Sequence, residues 1–194
     1  MKLISASITV AGLLLLAVSC RQPSGKIGTN TILPEFRKNY SGADSCWNAM
    51  MGSDDGKIQN MDRLAGELLL VDGCDSSSLL KTRSAISGLK AMRYNRQNLR
   101  DPGLIDRYDS ACTALITALK NEVRRNPKAE QYQIVNQLVT EVSVADDSVL
   151  FYRKEYDRFA DRLNLSLKKN RKKLQNELKT PDSLRPFPVF RLIP

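Results

Sequence analysis

Residues 132–167 read YQIVNQLVTEVSVADDSVLFYRKEYDRFADRLNLSL, and large apolar side chains recur in them at intervals of three and four residues. This spacing places the apolar side chains on one face of an α-helix. No glycine or proline interrupts the chain between Ala129 and Pro181. We therefore predict one helix of about 50 residues, roughly 75 Å long, whose C-terminal end extends past the other helices. Its predicted buried face comprises Tyr132, Val135, Leu138, Val142, Val149, Tyr152, Tyr156, Phe159, Leu163 and Leu167.

Three shorter helices are predicted upstream from the same periodicity. The first covers about residues 43–71, and we expect the two glycines and two aspartates of residues 52–56 to kink or break it. The second begins at Asp75 or Ser76 and ends near residue 95. The third has Asp101 as its N-cap and ends near residue 126. Because the connections are short, we predict an all-α fold, an elongated antiparallel up-and-down helical bundle with a long C-terminal helix.

The first 20 residues have the layout of an export signal. Lys2 precedes an apolar run that ends in Ala17, Val18, Ser19 and Cys20, and the run is too short to span a membrane comfortably. Small residues directly before a cysteine resemble the lipobox of bacterial lipoproteins, which implies cleavage before Cys20 and a diacylglycerol on its sulfur. Ala17 departs from the leucine usual at that position. An ordinary cleaved signal with a buried or free Cys20 is the alternative interpretation.

The predicted domain organisation follows from this anchor. We expect a lipoprotein signal peptide at residues 1–19, a lipidated Cys20 with a flexible tether over residues 20–40, and a helical bundle with a basic C-terminal helix and tail over residues 41–194. Acyl chains contribute about 0.8 kcal/mol per buried methylene, so two or three of them would hold the protein on a membrane of the bacterial cell envelope. By resemblance to enterobacterial lipoproteins, Arg21 favours the outer membrane over the inner membrane.

Side chains of the predicted long helix resemble the C-terminal signature of the LemA family. In that family a glutamate lies seven residues before the arginine of an Arg-x-x-Tyr-Asn stretch, a second Tyr-Asn pair follows, and a Phe-Pro element comes later. Asp146 stands here in place of the glutamate, and Phe187-Pro188 resembles the later element. The residues that carry the resemblance are Leu138, Val142, Asp146, Val149, Arg153, Glu155, Tyr156-Asp157 and Leu163-Asn164.

The resemblance to the LemA family extends more loosely over residues 44–164, through the number and relative length of the helices. Upstream the chain departs from the family, because residues 62–65 stand where the family has Pro-Asn-Leu-Val, and the usual N-terminal transmembrane helix is absent. A lipid on Cys20 would replace that helix. The resemblance implies a membrane-tethered helical bundle without established catalytic residues. An unrelated helical lipoprotein with similar periodicity is the alternative.

Catalysis has little support in the residue types. The chain contains no histidine, the commonest general base near neutral pH. It has no Gly-rich phosphate loop, nucleophile elbow or metal-ligand spacing. We therefore predict a protein that is not an enzyme and that has no cofactor or metal. The alternative is an envelope hydrolase acting on an acidic polymer, for which the candidate carboxylates are Asp146, Asp147, Asp157 and Asp161.

Basic charge is concentrated at the C-terminal end of the chain. The whole sequence has 30 Lys and Arg against 21 Asp and Glu, whereas residues 150–194 have 12 basic and five acidic side chains. A solvated helix face is one interpretation. The other is contact with an envelope protein partner or with an anionic lipid or glycan surface, and we expect no nucleic acid partner for an exported protein. The candidate binding residues are Lys168, Lys169, Arg171, Lys172 and Lys173.

The remaining cysteines and the apolar tail have two interpretations each. Cys112 lies on the apolar stripe of the third helix, so we predict a core residue. Cys46 and Cys74 either form a disulfide, which needs the first helix to fold back near residues 52–56, or stay reduced. The apolar residues 187–193 either pack against the bundle or bind a partner groove as an extended peptide.

Overall fold

A computed structural model describes residues 31–178 and 184–190 of the chain. Within these residues the chain forms five helices and no strand. The helices are α1 (Ile32–Leu68), α2 (Ser76–Met92), α3 (Pro102–Arg125), α4 (Pro127–Gln131) and α5 (Gln133–Leu178). Since α4 has only five residues, it serves as a linker between α3 and α5. The predicted all-α bundle with a long C-terminal helix is confirmed.

The longest helices, α1 and α5, run antiparallel and pack along most of their lengths. Near the start of α1, Gly42 lies against the ring of Phe159 in the second half of α5. Further along α1, the Lys57 ammonium binds Asp146 in the first half of α5, at 3.2 Å. Moving forward along α1 therefore means moving backward along α5.

The shorter helices α2 and α3 complete the bundle. Arg83 near the middle of α2 donates to Asp62 of α1 at 2.7 Å, and Arg93 just after α2 donates to Asp54 at 3.1 Å, so α2 is antiparallel to α1. On α3, Tyr108 donates to the same Asp54 carboxylate at 2.5 Å. Consecutive helices pack against each other, α1 with α2 and α2 with α3, while the most extensive packing joins α1 to α5.

Side-chain caps fix where α2, α3 and α4 begin. The Asp75 carboxylate accepts from the Ser78 amide at 3.1 Å, and the Asp101 carboxylate accepts from the Leu104 amide at 3.3 Å. Both caps confirm the predicted starts, since an N-cap carboxylate satisfies an amide that has no partner within the helix. Asn126 caps α4, and because Tyr132 then interrupts the helix, α5 starts at Gln133 rather than near Ala129 as expected.

α1 begins earlier than predicted, within the segment expected to be a flexible tether. We expected residues 20–40 to be flexible, but residues from Ile32 onward are helical, so the prediction is wrong for 32–40. Phe36 shows the reason, because this side chain is only 2% exposed and extends the apolar face of α1 by two turns toward the N-terminus. Residues 20–30, including Cys20, lie outside the described residues.

The predicted break at residues 52–56 is also wrong, because α1 is continuous through them. Gly52 and Gly56 each have open space where a Cβ would stand. Asp54 faces the interior and is 1% exposed. A glycine costs a helix about 1 kcal/mol, and the packing of α1 along α5 outweighs that local preference.

The three described cysteines are free thiols. Cys112 is 3% exposed, which confirms its predicted place in the core. Because α1 does not fold back, Cys46 is separated from the end of its own helix by about 33 Å of helix axis. The alternative in which Cys46 and Cys74 form a disulfide is therefore wrong for this structure.

The expected overhang of α5 is absent in the described chain. Leu167 and Leu174 are 2% and 0% exposed, so the bundle covers α5 nearly to its end. The earlier start of α1 supplies part of this cover. Seven of the ten residues predicted for the buried face are buried, whereas Tyr152 and Phe159 are half-buried and Tyr132 is exposed. Arg153 and Ala160 are buried on this face although they were not predicted to be.

Candidate functional site

The predicted cationic residues form one exposed basic segment, which we define as residues 168–173. Its five cations are Lys168, Lys169, Arg171, Lys172 and Lys173, and all five are exposed. None of them forms an ion pair with another described residue. Asn170 has non-helical backbone angles (φ −126°, ψ 20°), which kinks α5 in the middle of the segment. The structure thus brings the five predicted residues together on one short stretch of surface.

The basic segment lies at the end of the bundle where α1 begins. Gly42 is opposite Phe159, and α1 runs antiparallel to α5. Continuing this register toward the start of α1 places Ile32 near the level of Asn170. The N-terminal end of α1 therefore lies beside the basic segment.

The tail segment, residues 184–190, packs against the bundle through backbone hydrogen bonds to α5. Asn164 holds both polar groups of Phe187: its Nδ2 donates to the carbonyl at 2.9 Å and its Oδ1 accepts from the amide at 2.7 Å. Asp157 accepts from the amide of Phe190 at 2.8 Å. The packing interpretation is confirmed for these residues, while residues 191–194 lie outside the described part.

Phe190 completes an aromatic cluster in the core. Its ring stacks on Trp47 with 6.1 Å between ring centroids and 21° between planes. It also makes edge contacts with Tyr94 at 5.5 Å and with Tyr156 at 5.7 Å. The side chain is 8% exposed. Each edge-to-face pair contributes about 0.5–1.5 kcal/mol beyond burial, so the tail segment is a stable part of the core.

A buried guanidinium lies directly under this cluster. Arg153 is 1% exposed and binds both oxygens of Asp109 at 2.7 Å. Its other hydrogen bonds go to the hydroxyl of Tyr94, at 2.7 and 3.1 Å. Burial alone would lower the pKa of Arg153, but the Asp109 carboxylate more than compensates and raises it, so the residue stays charged.

A second buried charge cluster lies around Asp54. Its carboxylate meets the Tyr108 hydroxyl at 2.5 Å, the Arg93 guanidinium at 3.1 Å and the Lys57 ammonium at 2.9 Å. Burial would lower the pKa of Lys57, but the Asp54 charge raises it above the usual value. Burial raises the pKa of Tyr108, so its hydroxyl stays a donor. Because each of these groups is paired or hydrogen-bonded to Asp54, the cluster holds α1, α3 and the chain after α2 together.

Neither buried cluster was predicted from the sequence, although the Asp54 cluster has a signal there. Asp54 and Lys57 are one turn apart and lie between Met50 and Met61 on the apolar stripe of α1. Opposite charges at that spacing on an apolar stripe indicate a buried ion pair. Arg153 similarly takes the place of an apolar residue in the stripe of α5.

The four candidate carboxylates do not all meet at one place. Asp146 is bound to Lys57, and Asp157 is bound to the tail segment. Asp147 is exposed on α5. Asp161 shares a groove of about 1210 Å³ with Asp157, beside the tail segment. In the described chain, no three acidic or cysteine side chains are grouped closely enough to hold a metal ion.

Five of the residues that resemble the LemA signature have a common physical role here. They stabilise either the interior of the bundle or the position of its tail segment. Asp146 binds Lys57, Arg153 binds Asp109, Tyr156 packs on Phe190, Asp157 binds the Phe190 amide, and Asn164 binds Phe187. Phe187-Pro188, the predicted counterpart of the later Phe-Pro element, lies in the tail segment that these residues hold.

Comparison with known proteins identifies no relatives of this chain. No protein-family model, curated protein or solved structure matches the chain. Membership of the LemA family therefore stays a prediction. Among the described helices, none has the length and apolar character needed to cross a membrane.

Proposed function

We propose that this protein is a membrane-tethered, non-enzymatic interaction module of the bacterial cell envelope, whose basic segment binds the anionic lipid surface beside its own anchor. The observation that carries the proposal is the position of the basic segment. Its five exposed cations lie at the end of the bundle where α1 begins, and α1 follows the chain from Cys20.

The distance between the proposed anchor and the bundle supports this orientation. Eleven residues separate Cys20 from Ile32. Fully extended they would span about 37 Å, and as a random chain they would span roughly 18 Å. A lipid on Cys20 would therefore keep the start of α1, and the basic segment beside it, close to the headgroups.

The energy of such a contact comes mainly from charge. A basic residue near an anionic membrane contributes about 1 kcal/mol, and the attraction fades over a Debye length of about 8 Å at physiological salt. Five cations on one short segment are enough to orient the bundle on the membrane. The opposite end of the bundle contains the connection from α1 to α2 (residues 69–75) and the connection from α3 to α4 (Asn126). This end would then point away from the membrane and be available to other envelope components.

Lysine acetylation in reconstituted membranes tests the orientation. The lipidated full chain is placed in vesicles containing phosphatidylglycerol or only phosphatidylcholine, and acetylation of each lysine is followed by mass spectrometry. We expect Lys168, Lys169, Lys172 and Lys173 to react more slowly on the anionic vesicles. Lys81, exposed toward the other end of the bundle, serves as the internal control and should react equally on both. Equal reactivity of all five lysines on both vesicles would refute the proposal.

Two variants with the same change in net charge distinguish the effect of the basic segment from the effect of overall charge. The first variant changes Lys168, Lys169, Lys172 and Lys173 to Glu. The second changes four cations elsewhere that form no ion pair with a described residue to Glu, namely Lys81, Lys120, Arg124 and Arg125. After crosslinking of intact cells and purification, only the first should lose its crosslinks to anionic lipid. If the first variant instead loses a protein and keeps the lipid, the basic segment binds a protein partner and the lipid proposal is wrong.

A further inference from the structure

The outward side of α5 between residues 151 and 165 carries only basic and large apolar side chains. Residues spaced by three, four and seven lie on one side of a helix, and here they share an arc of about 80°. Every side chain on this arc is exposed to solvent. We name this arc the outer face, and its residues are Phe151, Lys154, Arg158, Arg162 and Leu165.

The two apolar side chains of the outer face are largely open to water. Phe151 is 59% exposed and Leu165 is 51% exposed. Transfer of either side chain into an apolar environment is favourable. The two residues lie about 21 Å apart along the helix axis, and the residues between them on the arc are cations. Phenylalanine or leucine combined with lysine and arginine on one helix is typical of helices that lie in a membrane interface.

The cations of the outer face are available to an anionic partner. Lys154 and Arg162 form no ion pair with a described residue. Arg158 binds Glu155 at 2.5 Å, yet its side chain remains 53% exposed. Asp161 lies beside the outer face and lines the groove next to the tail segment. The outer face itself therefore has a positive potential that attracts anions.

The charge of α5 changes at Phe151, and this change limits the cationic surface. On the same arc, the first half of α5 has no cation and comprises Gln133, Asn136, Thr140, Val144 and Asp147. In the other direction the outer face continues into the basic segment. From Lys154 to Lys172 the cationic surface covers about 27 Å of helix axis. An anionic partner therefore contacts the second half of α5 and not the first.

We propose that the outer face inserts into anionic phospholipid and extends the membrane contact of the basic segment. Lys154, Arg158 and Arg162 bind lipid phosphates, while Phe151 and Leu165 enter the boundary between headgroups and acyl chains. The bundle lies inclined on the membrane, because the anionic surface repels the acidic first half of α5. This inference rests on the proposed function, since the basic segment brings the outer face to the membrane.

Quenching of tryptophan by brominated lipid tests the insertion. Three variants of the lipidated full chain are prepared, Phe151→Trp, Leu165→Trp and Val144→Trp, in vesicles of acyl-brominated phosphatidylcholine with or without phosphatidylglycerol. Val144 is the matched control, because it is 58% exposed on the same arc but lies in the first half of α5. The native Trp47 is 8% exposed and gives all three variants the same background.

We expect bromine to lower the fluorescence of Phe151→Trp and Leu165→Trp at least twofold on vesicles that contain phosphatidylglycerol. Val144→Trp should be unaffected on the same vesicles, and all three should be unaffected on phosphatidylcholine alone. Absence of quenching in Phe151→Trp and Leu165→Trp would overturn the inference. Equal quenching of Val144→Trp would also overturn it, because the contact would then not end at the change of charge.

Neutralising the cations tests their part in the insertion. In the Phe151→Trp protein, changing Lys154, Arg158 and Arg162 to Gln should reduce quenching at least twofold, since each cation near an anionic membrane strengthens binding about fivefold. The control changes the same number of cations elsewhere to Gln, namely Lys81, Lys120 and Arg124, and should leave quenching unchanged. Circular dichroism confirms that each variant is folded. If the two sets of changes had the same effect, the outer face would not make the contact.

Acetylation of the basic segment on the same vesicles separates failure of this inference from failure of the proposed function. Protection of Lys168 and Lys169 without quenching at the outer face would overturn the inference and leave the proposed function standing. Loss of both signals would overturn both. Sedimentation of the detergent-solubilised protein tests the other occupant, a second copy of this chain. A dimer that Phe151→Ser dissociates would assign the outer face to that copy and overturn the inference.

Discussion

The ion pair between Arg153 and Asp109 should respond very differently to loss of either partner. Arg153 is 1% exposed, while the Asp109 side chain is 39% exposed. In Asp109→Ala, the guanidinium loses both bonds of 2.7 Å and stays buried beneath Phe190. In Arg153→Met, the remaining Asp109 carboxylate can be solvated by water. We therefore expect Asp109→Ala to be the more destabilising substitution.

The magnitudes follow from the burial of the group that remains. Loss of one partner of a buried ion pair costs about 3–5 kcal/mol, and we expect Asp109→Ala to cost about 4 kcal/mol. Methionine keeps most of the apolar contact of Arg153 but gives up its positions 5.1 Å from the Tyr94 ring and 5.2 Å from the Phe190 ring. Such contacts are worth about 0.5–2 kcal/mol each, so Arg153→Met should cost about 2 kcal/mol. The double variant should resemble Arg153→Met, since no charge is then buried without a partner.

Urea unfolding followed by circular dichroism at 222 nm measures these free energies. Asp106→Ala, which removes an exposed carboxylate from the same helix, is the control and should change stability by less than about 0.5 kcal/mol. If Arg153→Met proved as destabilising as Asp109→Ala, the asymmetry of burial would not govern the pair. If the double variant lost the sum of both single effects, the two residues would not be coupled.

Three further predictions concern pH, the tail segment and α1. Burial raises the pKa of Tyr156 to about 12 against an ordinary 10.0, so folding disfavours its ionised form. The contribution of Tyr156 to the free energy of unfolding is therefore constant below pH 10, and about 2–3 kcal/mol of it should be lost as the pH rises to 12. Urea unfolding should show a smaller loss over this pH range in Tyr156→Phe, which has no hydroxyl to ionise. Asn164→Ala removes both of its hydrogen bonds to Phe187 and should speed exchange of the Phe187 amide by tenfold or more, whereas Asn176→Ala, at an exposed position of the same helix, should not; unchanged exchange would contradict the assigned contacts. Gly42→Ala would bring a Cβ within 2.6 Å of the aromatic ring packed there and should cost about 1–3 kcal/mol, while Gly52→Ala meets open space and should stabilise by about 0.5–1 kcal/mol; the opposite order of melting temperatures would refute the packing.

The sequence was sufficient to predict the fold class because apolar spacing and capping residues are local signals. The caps at Asp75 and Asp101 could be identified for this reason. The break expected at residues 52–56 was wrong because helix propensity describes an isolated helix. In the protein, α5 and the other helices surround this stretch of α1, and their contacts decide the outcome.

The sites were predictable to the extent that they depend on exposed charge. The basic segment was recognisable because five cations occur within six residues. The burial of Arg153 was not, because it depends on a carboxylate that α3 supplies from a distant part of the sequence.

The stacking of Phe190 on Trp47 has a consequence for how the chain folds. Nearly the whole described chain lies between these two rings, while the pairs that join α1 to α2 are much closer in sequence. Closing a longer loop costs more entropy, so contacts between distant residues tend to form late. Helix formation should therefore precede the seating of Phe190, and until that last step the ring of Trp47 remains partly open to water. In a refolding experiment, the final burial of Trp47 should lag behind the recovery of helical structure.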